Sequence, residues 1–300
     1  MTLLEEMETA IGDAARTSGP AVVGIERRAG RGTGIVTAPG EVLTLASNLR
    51  DPTAAVGVAF AGDAPNATGT VAGIDGVLDL ALLRVPTGDV EPLAFVPRAL
   101  GVGAAVIALA NPGGQGLRAT LGFVAADDRS FRGPRGRVVD RAIEHTAPLP
   151  RGAGGGPLLD AAGRLVGLNA VRVQGGLILA LPGAAVAERL GVLGRADAAE
   201  PRQLGVAIVA PRVARRLRRA VGLPDRDGLL IQEVAAGSAA ARAQIREGDL
   251  IVAADDQPVD GVDGLYAALD RVPAAGTVAL RIVRGVEELE LAVAFDGDDR

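Results

Sequence analysis

The segment PRGAGGGPLLDAAGRLVGLNA, residues 150–170, carries more structural information than any other part of the chain. It opens with a glycine-rich turn, runs through Pro157-Leu158-Leu159, turns again at residues 160–163 and ends in an apolar run. Glycine clusters between apolar runs are typical of turns, and two apolar runs around a short turn are typical of a hairpin. The segment therefore predicts a sharp turn that leads into a β-hairpin.

Similar short apolar runs extend in both directions from this hairpin. From Pro20 to about residue 193 they are separated by Gly, Pro and Asp at regular intervals, which predicts an all-β barrel or sandwich. Residues 2–17 have apolar side chains at helical spacing and predict an amphipathic helix. We interpret this helix, within residues 1–19, as docked on the next domain, because a membrane-surface helix would carry a basic polar face. Residues 194–203 are small and polar and predict a linker.

Composition excludes several classes of function. The chain has 300 residues, enough for two domains, with no Cys and one His, His145. Disulfides, thiolate catalysis and multi-His metal sites are therefore excluded, and no cofactor is expected. A net charge of −5 argues against nucleic acid as a partner. We interpret the five arginines of residues 211–222 as a solvated helix face.

No apolar run approaches the roughly 20 residues needed to cross a membrane. The acidic start does not resemble a signal peptide. We therefore expect a cytoplasmic protein without a membrane partner.

The glycine-rich turn resembles the nucleophile loop of the HtrA-like, trypsin-fold serine proteases, whose pattern is GNSGGPL followed by a hairpin. The positions that match are Gly152, Gly155, Gly156, Pro157 and Leu158. The nucleophilic serine of the pattern falls on Gly154, and the preceding asparagine falls on Ala153. The resemblance thus implies a protease fold whose nucleophile position has no side chain.

Other segments of the same family occur in the family's order. GRGTGIVTAPGEVLTLASNLRD, from Gly30, resembles the stretch that contains T-N-x-H-V-V, and places the catalytic histidine position at Ser47. DLALLRV, residues 79–85, resembles the stretch that holds the catalytic aspartate, at Asp79. ANPGGQGLRATLGFVAADDR and LILALP also resemble family segments. Together they imply a trypsin-like double β-barrel over residues 20–193.

Residues 204–296 resemble a PDZ domain. Within GSAAARAQIREGDLIVAADDQPV the matching positions are Ser238, Ala239, Ala240, Ala243, Gly248, Asp249 and Ile251. The whole resemblance implies a mostly β chain, a double β-barrel followed by an α+β PDZ domain. PDZ domains add a peptide strand to a sheet edge and capture its terminal carboxylate with a backbone loop.

The peptide groove of this PDZ domain can be placed on the sequence by the same resemblance. The carboxylate loop would include Leu204, Gly205 and Val206. Leu265 and Leu269 are candidate walls of the side-chain pocket, although ordinary core packing also explains them. The implied partners are peptides or protein C-termini.

Two of the three triad positions are therefore substituted. Peptide cleavage by this mechanism needs an Oγ that attacks, an imidazole that carries its proton and a carboxylate that orients the ring. Gly154 supplies no nucleophile, Ser47 is no base near neutral pH, and Asp79 has no ring to orient. Only a cradle of backbone N–H groups around Gly152 and Ala153 would remain. This predicts a pseudoprotease that binds peptides or proteins through its PDZ domain, as a scaffold or quality-control adaptor. The alternative is an active HtrA-type serine endopeptidase with a misassigned or non-standard site.

Three points stay open at the sequence level. His145, the only imidazole, lies nine residues before Gly154 and is expected to line a pocket or strand rather than to serve as a base. Asp79 is either a strand-start residue held by backbone N–H groups or a vestigial carboxylate bonded to Ser47. HtrA-like proteins often form trimers through N-terminal aromatic contacts, and here no aromatic residue precedes Phe60, so an oligomer is neither implied nor excluded.

Overall fold

The computed structural model describes residues 2–27, 30–49, 51, 53–62, 65–133, 137–193, 202–209, 211–273 and 275–295. The chain divides into two compact units, residues 1–198 and 199–300. Most of the predicted linker, residues 194–201, lies outside the described residues, as does residue 296 at the predicted end of the second domain. The exact domain boundaries therefore stay a prediction.

The first unit begins with helix α1, Leu3–Ser18. Thr2 caps it: its hydroxyl accepts from the Glu5 N–H, and the Glu5 carboxylate accepts from the Thr2 N–H. This reciprocal capping box satisfies two backbone donors that a helix start leaves unpaired. The second half of α1 packs on the barrel core, where Ala14 is buried. No helix within the described ranges has both the length and the apolar content needed to span a membrane.

Six antiparallel strands after α1 close into a first barrel. Their order around the barrel is β1-β2-β3-β6-β5-β4. Closure pairs every strand on both sides and leaves no exposed sheet edge. The strands are β1 Val22–Arg27, β2 Gly30–Ala38, β3 Glu41–Leu45, β4 Val56–Ala59, β5 Ala67–Asp75 and β6 Leu80–Arg84.

A second barrel follows with the order β10-β11-β12-β9-β8-β7. The predicted hairpin of residues 157–172 forms two of its strands, and the glycine-rich turn enters the first of them. Helix α2, Gly183–Leu190, closes the barrel region. The strands are β7 Ala105–Ala110, β8 Arg118–Arg132, β9 Val138–His145, β10 Pro157–Asp160, β11 Leu165–Arg172 and β12 Ile178–Pro182.

The second unit is a twisted sheet of order β13-β14-β15-β17-β18, with β16 paired to β15. Its first strand, β13, is therefore an edge strand. The elements are β13 Val206–Val209, α3 Pro211–Ala220, β14 Leu229–Val234, α4 Ala239–Arg242, β15 Leu250–Ala254, β16 Gln257–Pro258, α5 Val262–Leu269, β17 Thr277–Arg284 and β18 Glu287–Ala294. The predicted mostly β fold, two barrels followed by an α+β domain, is confirmed.

One buried hydrogen bond inside the second barrel involves the single histidine. His145, at the end of β9, is fully buried, and its Nε2 lies 2.9 Å from Oδ1 of Asn169 on β11. The Asn169 amide donates to the Pro157 carbonyl, 3.1 Å away, so its oxygen faces the ring and Nε2 carries the proton. Nδ1 has no partner among the described residues. Burial lowers the pKa of His145, and the hydrogen bond to Asn169 opposes that shift.

Because the His145 ring is buried and neutral, we expect acidic pH to lower the free energy of unfolding of the first unit. The unfolded chain binds a proton at His145 near the ordinary pKa of about 6.5, whereas the folded chain resists it. The free energy of unfolding should therefore fall as pH drops below about 6.5, by at most about 1.4 kcal/mol per pH unit. Urea unfolding followed by circular dichroism between pH 7.5 and 5.5 measures this loss.

The control is His145→Gln, which keeps an amide donor but does not titrate in this range. The second unit contains no histidine, so its own unfolding transition serves as an internal reference. An equal loss of stability in wild type and His145→Gln would contradict the assignment of the effect to this ring.

Candidate functional site

The two triad positions in the first barrel touch each other directly. Ser47 lies in a short 3₁₀ turn after β3, and Asp79 immediately precedes β6, the strand that pairs with β3. The Ser47 backbone N–H donates to Asp79 Oδ1 at 2.9 Å, and its hydroxyl donates to Oδ2 at 2.6 Å. The Ala46 N–H donates to the Asp79 carbonyl at 2.7 Å. The Asp79 carboxylate thus accepts both from a backbone N–H group and from the Ser47 hydroxyl. Its contacts include those of both interpretations, a strand-start residue held by the backbone and a carboxylate bonded to Ser47.

The third position, Gly154, lies in the turn that enters β10. Its carbonyl accepts from the Thr33 N–H at 3.2 Å and from Asn48 Nδ2 at 2.8 Å. The Gly152 carbonyl accepts from the Thr33 hydroxyl at 2.8 Å. The carbonyls of this loop are therefore bound to the first barrel, and Gly154 lies beside the turn that carries Ser47.

Asn48 is a residue that the sequence analysis did not single out for this role. It is buried, and its amide nitrogen also donates to Thr44 Oγ1 at 2.9 Å. The Thr44 hydroxyl in turn donates to the Thr33 carbonyl at 2.6 Å. The available signal was a polar residue where the family pattern T-N-x-H-V-V has a valine, directly after the histidine position.

Close approach explains two glycines beside this network. Gly155, in the turn before β10, has φ +89°, and a Cβ there would lie 2.1 Å from the Thr33 carbonyl oxygen of the first barrel. A Cβ at Gly32 would lie 2.6 Å from Cγ of Asn48, within the first barrel. Both distances are far below contact distance, so a side chain at Gly155 would separate the barrels, and one at Gly32 would displace the Asn48 amide that bonds to Gly154.

Gly154 is under a weaker restriction. A Cβ there would lie 3.1 Å from Leu45 Cδ1 and 3.2 Å from the Ala170 carbonyl oxygen. These contacts are tight, but the Leu45 side chain can yield by a few tenths of an ångström. Leu45 occupies the asparagine position of T-N-x-H-V-V. The nucleophile position is therefore faced by one apolar side chain and by backbone carbonyl oxygens, all close to the bare glycine.

A cleft of about 310 Å³ adjoins this loop. Its lining includes Leu149, Arg151, Gly152, Ala153, Gly154 and Ile178. Gly152 has φ +85°, which a glycine adopts without strain. The predicted backbone cradle of residues 152–154 therefore lies at the wall of a cleft wide enough for a side chain, with no nucleophile at its edge.

Within the described residues, no hydroxyl is hydrogen-bonded to an imidazole. The Ser47 hydroxyl donates to a carboxylate, which is too weak a base to remove its proton near neutral pH. Ser130 likewise donates to Asp140 Oδ1 at 2.7 Å, and Thr146 Oγ1 accepts from the Phe123 N–H at 2.9 Å. His145 is bonded to an amide inside the second barrel. An activated nucleophile of the Ser–His type is thus absent from this part of the chain.

The second candidate site is the loop before β13 in the second unit. The Leu204 carbonyl accepts from the Ala240 N–H at 3.0 Å, and the Gly205 carbonyl accepts from the Ala235 N–H at 2.8 Å. Gly205 has φ +73°, and a Cβ there would lie 2.3 Å from Ser238 Cβ. Val206 begins the edge strand. The loop is therefore held in one conformation, with its carbonyls bound within the domain.

Leu265 and Leu269 lie in the core of the second unit. Only 1% and 2% of their surfaces are exposed, as is expected of ordinary core residues, and Leu204 belongs to the same core. Partly exposed apolar residues around that core are better placed to meet a ligand. They include Val206 and Ile208 on β13 and Val262 and Tyr266 on α5, and of these the sequence analysis named only Val206.

Comparisons with known proteins agree with the architecture. Residues 32–168 match the trypsin-like peptidase domain, and residues 204–295 match the PDZ domain. HhoA of Synechocystis sp., which is named as a serine protease, is 30% identical over 89% of this chain and 71% of its own length. The mitochondrial serine protease HTRA2 of Bos taurus is 31% identical over 74% of this chain. The chain spans only 51% of HTRA2.

Solved structures show the same fold. A serine endoprotease from Yersinia pestis superposes with a TM-score of 0.63 at 21% identity, over 95% of this chain and 97% of its own. The HtrA-type protease AlgW, solved with a decapeptide, gives a TM-score of 0.62 at 20% identity, over 95% and 97% of the two chains. The order of the two domains and the relatives together show that this chain belongs to the HtrA-like family of serine proteases with a PDZ domain.

Proposed function

We propose that this chain is a catalytically inactive member of its family, a pseudoprotease that binds peptides or protein C-termini through its PDZ domain. The observation that carries the proposal is the pairing of Ser47 with Asp79 beside a bare Gly154. The chain would then serve as a scaffold or quality-control adaptor that holds the ends of other chains.

The chemistry of acyl transfer supports inactivity. Loss of the nucleophile or the base alone costs about 10⁶ in rate, and the two losses do not add because the groups act as a unit. A cradle of backbone N–H groups could stabilise an oxyanion, but it cannot form the acyl-enzyme. The Ser47 hydroxyl also occupies Oδ2 of Asp79, and the Ser47 backbone N–H occupies Oδ1, so both oxygens that could orient an imidazole already accept a hydrogen bond.

The alternative is an active endopeptidase with a non-standard site. Two observations favour it: the relatives are named as serine proteases, and the loop of residues 152–156 keeps a cleft at its side. It would require a nucleophile and a base outside the three triad positions. The experiments below separate the two functions.

Binding by the second unit rests on a different set of contacts. Strand β13 is an edge strand, so its free side can accept an added peptide strand. The preceding loop is held by the bonds of its Leu204 and Gly205 carbonyls to Ala240 and Ala235. A loop fixed in this way needs little ordering when it binds a carboxylate, which favours affinity.

We expect proteolytic activity only when the nucleophile and the base are both restored in one variant. Ser47→His alone has no nucleophile, and Gly154→Ser alone has no base, so both should match wild type at background in a casein-degradation assay. Ser47→His with Gly154→Ser should cleave casein slowly but detectably. Leu45→Val added to this pair should raise the rate further, because it removes the Cδ1 atom that lies 3.1 Å from a Cβ at residue 154.

Asp79→Asn in the double variant is the matched control and should return cleavage to background, since it no longer orients the histidine. Casein cleavage by the wild-type chain above the background of the assay would overturn the inactive assignment.

Peptide binding should depend on the free carboxylate. We expect apolar C-terminal peptides to bind in the micromolar range, about −8 kcal/mol, and their C-terminal amides to bind at least tenfold more weakly. Gly205→Ala should weaken binding of the acid peptide, because its Cβ would collide with Ser238. Isothermal titration calorimetry measures both effects.

Gly12→Ala in α1 is the control for a glycine substitution, since no atom lies within 4 Å of a Cβ at that position. Equal affinity for acid and amide peptides would contradict the carboxylate loop.

A further inference from the structure

The cleft beside the glycine-rich turn carries two arginines and no acidic side chain. Arg151 and Arg172 line it and are exposed, and its lining includes neither an aspartate nor a glutamate. Neither guanidinium group forms an ion pair or a hydrogen bond with the part of the chain that the structure describes. The chain as a whole has a net charge of −5. The cleft is therefore a positive site on an acidic protein, and it should concentrate anions.

The wall of this cleft also presents two backbone donors, the N–H groups of Gly152 and Gly154. Both glycines are partly exposed. The Ala153 carbonyl accepts from the Gly156 N–H at 3.0 Å inside the turn, and the Gly154 N–H of the same trans peptide unit points the opposite way. Within the described ranges, no acceptor is hydrogen-bonded to the N–H group of either lining glycine. Both donors can therefore serve a ligand in the cleft.

These donors and charges suit a carboxylate on an aliphatic stem. Guanidinium groups bind carboxylates through short, charge-assisted hydrogen bonds, and neighbouring backbone N–H groups in a turn form concave sites for anionic oxygens. Leu149 and Ile178 add apolar surface to the same cleft, which methylene groups can cover and a bare inorganic anion cannot. A volume of about 310 Å³ lies at the lower end of the range for ligand pockets. The cleft thus matches the side chain of one glutamate or aspartate.

We propose that this cleft binds the side-chain carboxylate of a glutamate or aspartate at an internal position of a peptide or protein. Arg151 and Arg172 attract the carboxylate and pair with it, while the N–H groups of Gly152 and Gly154 donate to its oxygens. Recognition of this kind needs no free C-terminus and uses residues of the first unit alone. It adds acidic internal segments to the ligands of this chain, and it rests on the proposed function only in that a bound segment is not cleaved.

Two-dimensional amide NMR of the full chain tests the proposal, with the peptide acetyl-Ala-Val-Glu-Ala-Ala-amide as the probe. Both ends of this peptide are uncharged, so its single carboxylate is the glutamate side chain. Titration should shift the amide signals of Gly152 and Gly154 and yield a dissociation constant. The same peptide with Gln in place of Glu should bind at least about tenfold more weakly, because its amide carries no charge. High salt should also weaken binding of the glutamate peptide.

Charge reversal at the cleft supplies the matched variants. Arg151→Glu and Arg172→Glu should each weaken binding of the glutamate peptide about tenfold. Both side chains are exposed and have no partner among the described residues, so the fold should be retained. Arg151→Lys keeps the charge and should stay within about threefold of wild type. Arg118→Glu makes the same change in net charge at an exposed arginine outside the lining of the cleft, and should leave the dissociation constant unchanged.

A third peptide, acetyl-Ala-Val-Ala-Ala-Ala with a free C-terminal carboxylate, separates this site from the PDZ groove. It should shift the amide signal of Gly205 and leave those of Gly152 and Gly154 in place. An unshifted Gly205 signal would count against the PDZ loop and not against the cleft. Shifts of Gly152 and Gly154 with this peptide would assign the cleft to C-terminal carboxylates and overturn the proposal. Equal affinity for the Glu and Gln peptides would overturn it too, as would binding that Arg151→Glu and Arg172→Glu leave unchanged.

Discussion

The arrangement of the candidate active site depends on the hydrogen bond from the Asn48 amide to the Gly154 carbonyl. This bond joins the turn after β3 to the turn before β10, and so connects the triad positions of the two barrels. Thr33 and Thr44 complete the same buried network. Because buried amide and hydroxyl groups are costly to leave unpaired, the network keeps the two turns in register.

The same network positions the two barrels without using the side chain of any triad position. Gly155 must stay small for the barrels to meet, and Gly32 must stay small for the Asn48 amide to keep its place. Gly154 is under a weaker restriction, since a Cβ there would lie 3.1 Å from Leu45 Cδ1 and 3.2 Å from the Ala170 carbonyl oxygen. The residues that hold the two turns together are thus distinct from the Ser47–Asp79 pair, which bonds within itself.

Glycine turns and strand runs are local signals, and they predicted an all-β barrel or sandwich followed by a second unit. The double barrel, the PDZ domain and the triad positions were predicted from the resemblance to the HtrA-like family. Neither showed the role of Asn48, since that role depends on a contact with a residue 106 positions away. The walls of the peptide groove were equally hard to predict: helical spacing shows that Leu265 and Leu269 share a face, but not that this face is sealed in the core. In α3, periodicity predicted a solvated basic face. The structure instead buries Arg218 and leaves Val213 and Leu217 each 47% exposed.

The central claim, that no activated serine exists in this chain, is tested most directly by a fluorophosphonate probe followed by intact-mass spectrometry. Such a probe forms a covalent adduct only with a serine whose hydroxyl a neighbouring base activates. The account predicts that the wild-type chain keeps its unmodified mass, whereas Ser47→His with Gly154→Ser acquires one adduct at residue 154. An adduct on the wild-type chain, at Ser47 or at any other serine, would contradict it.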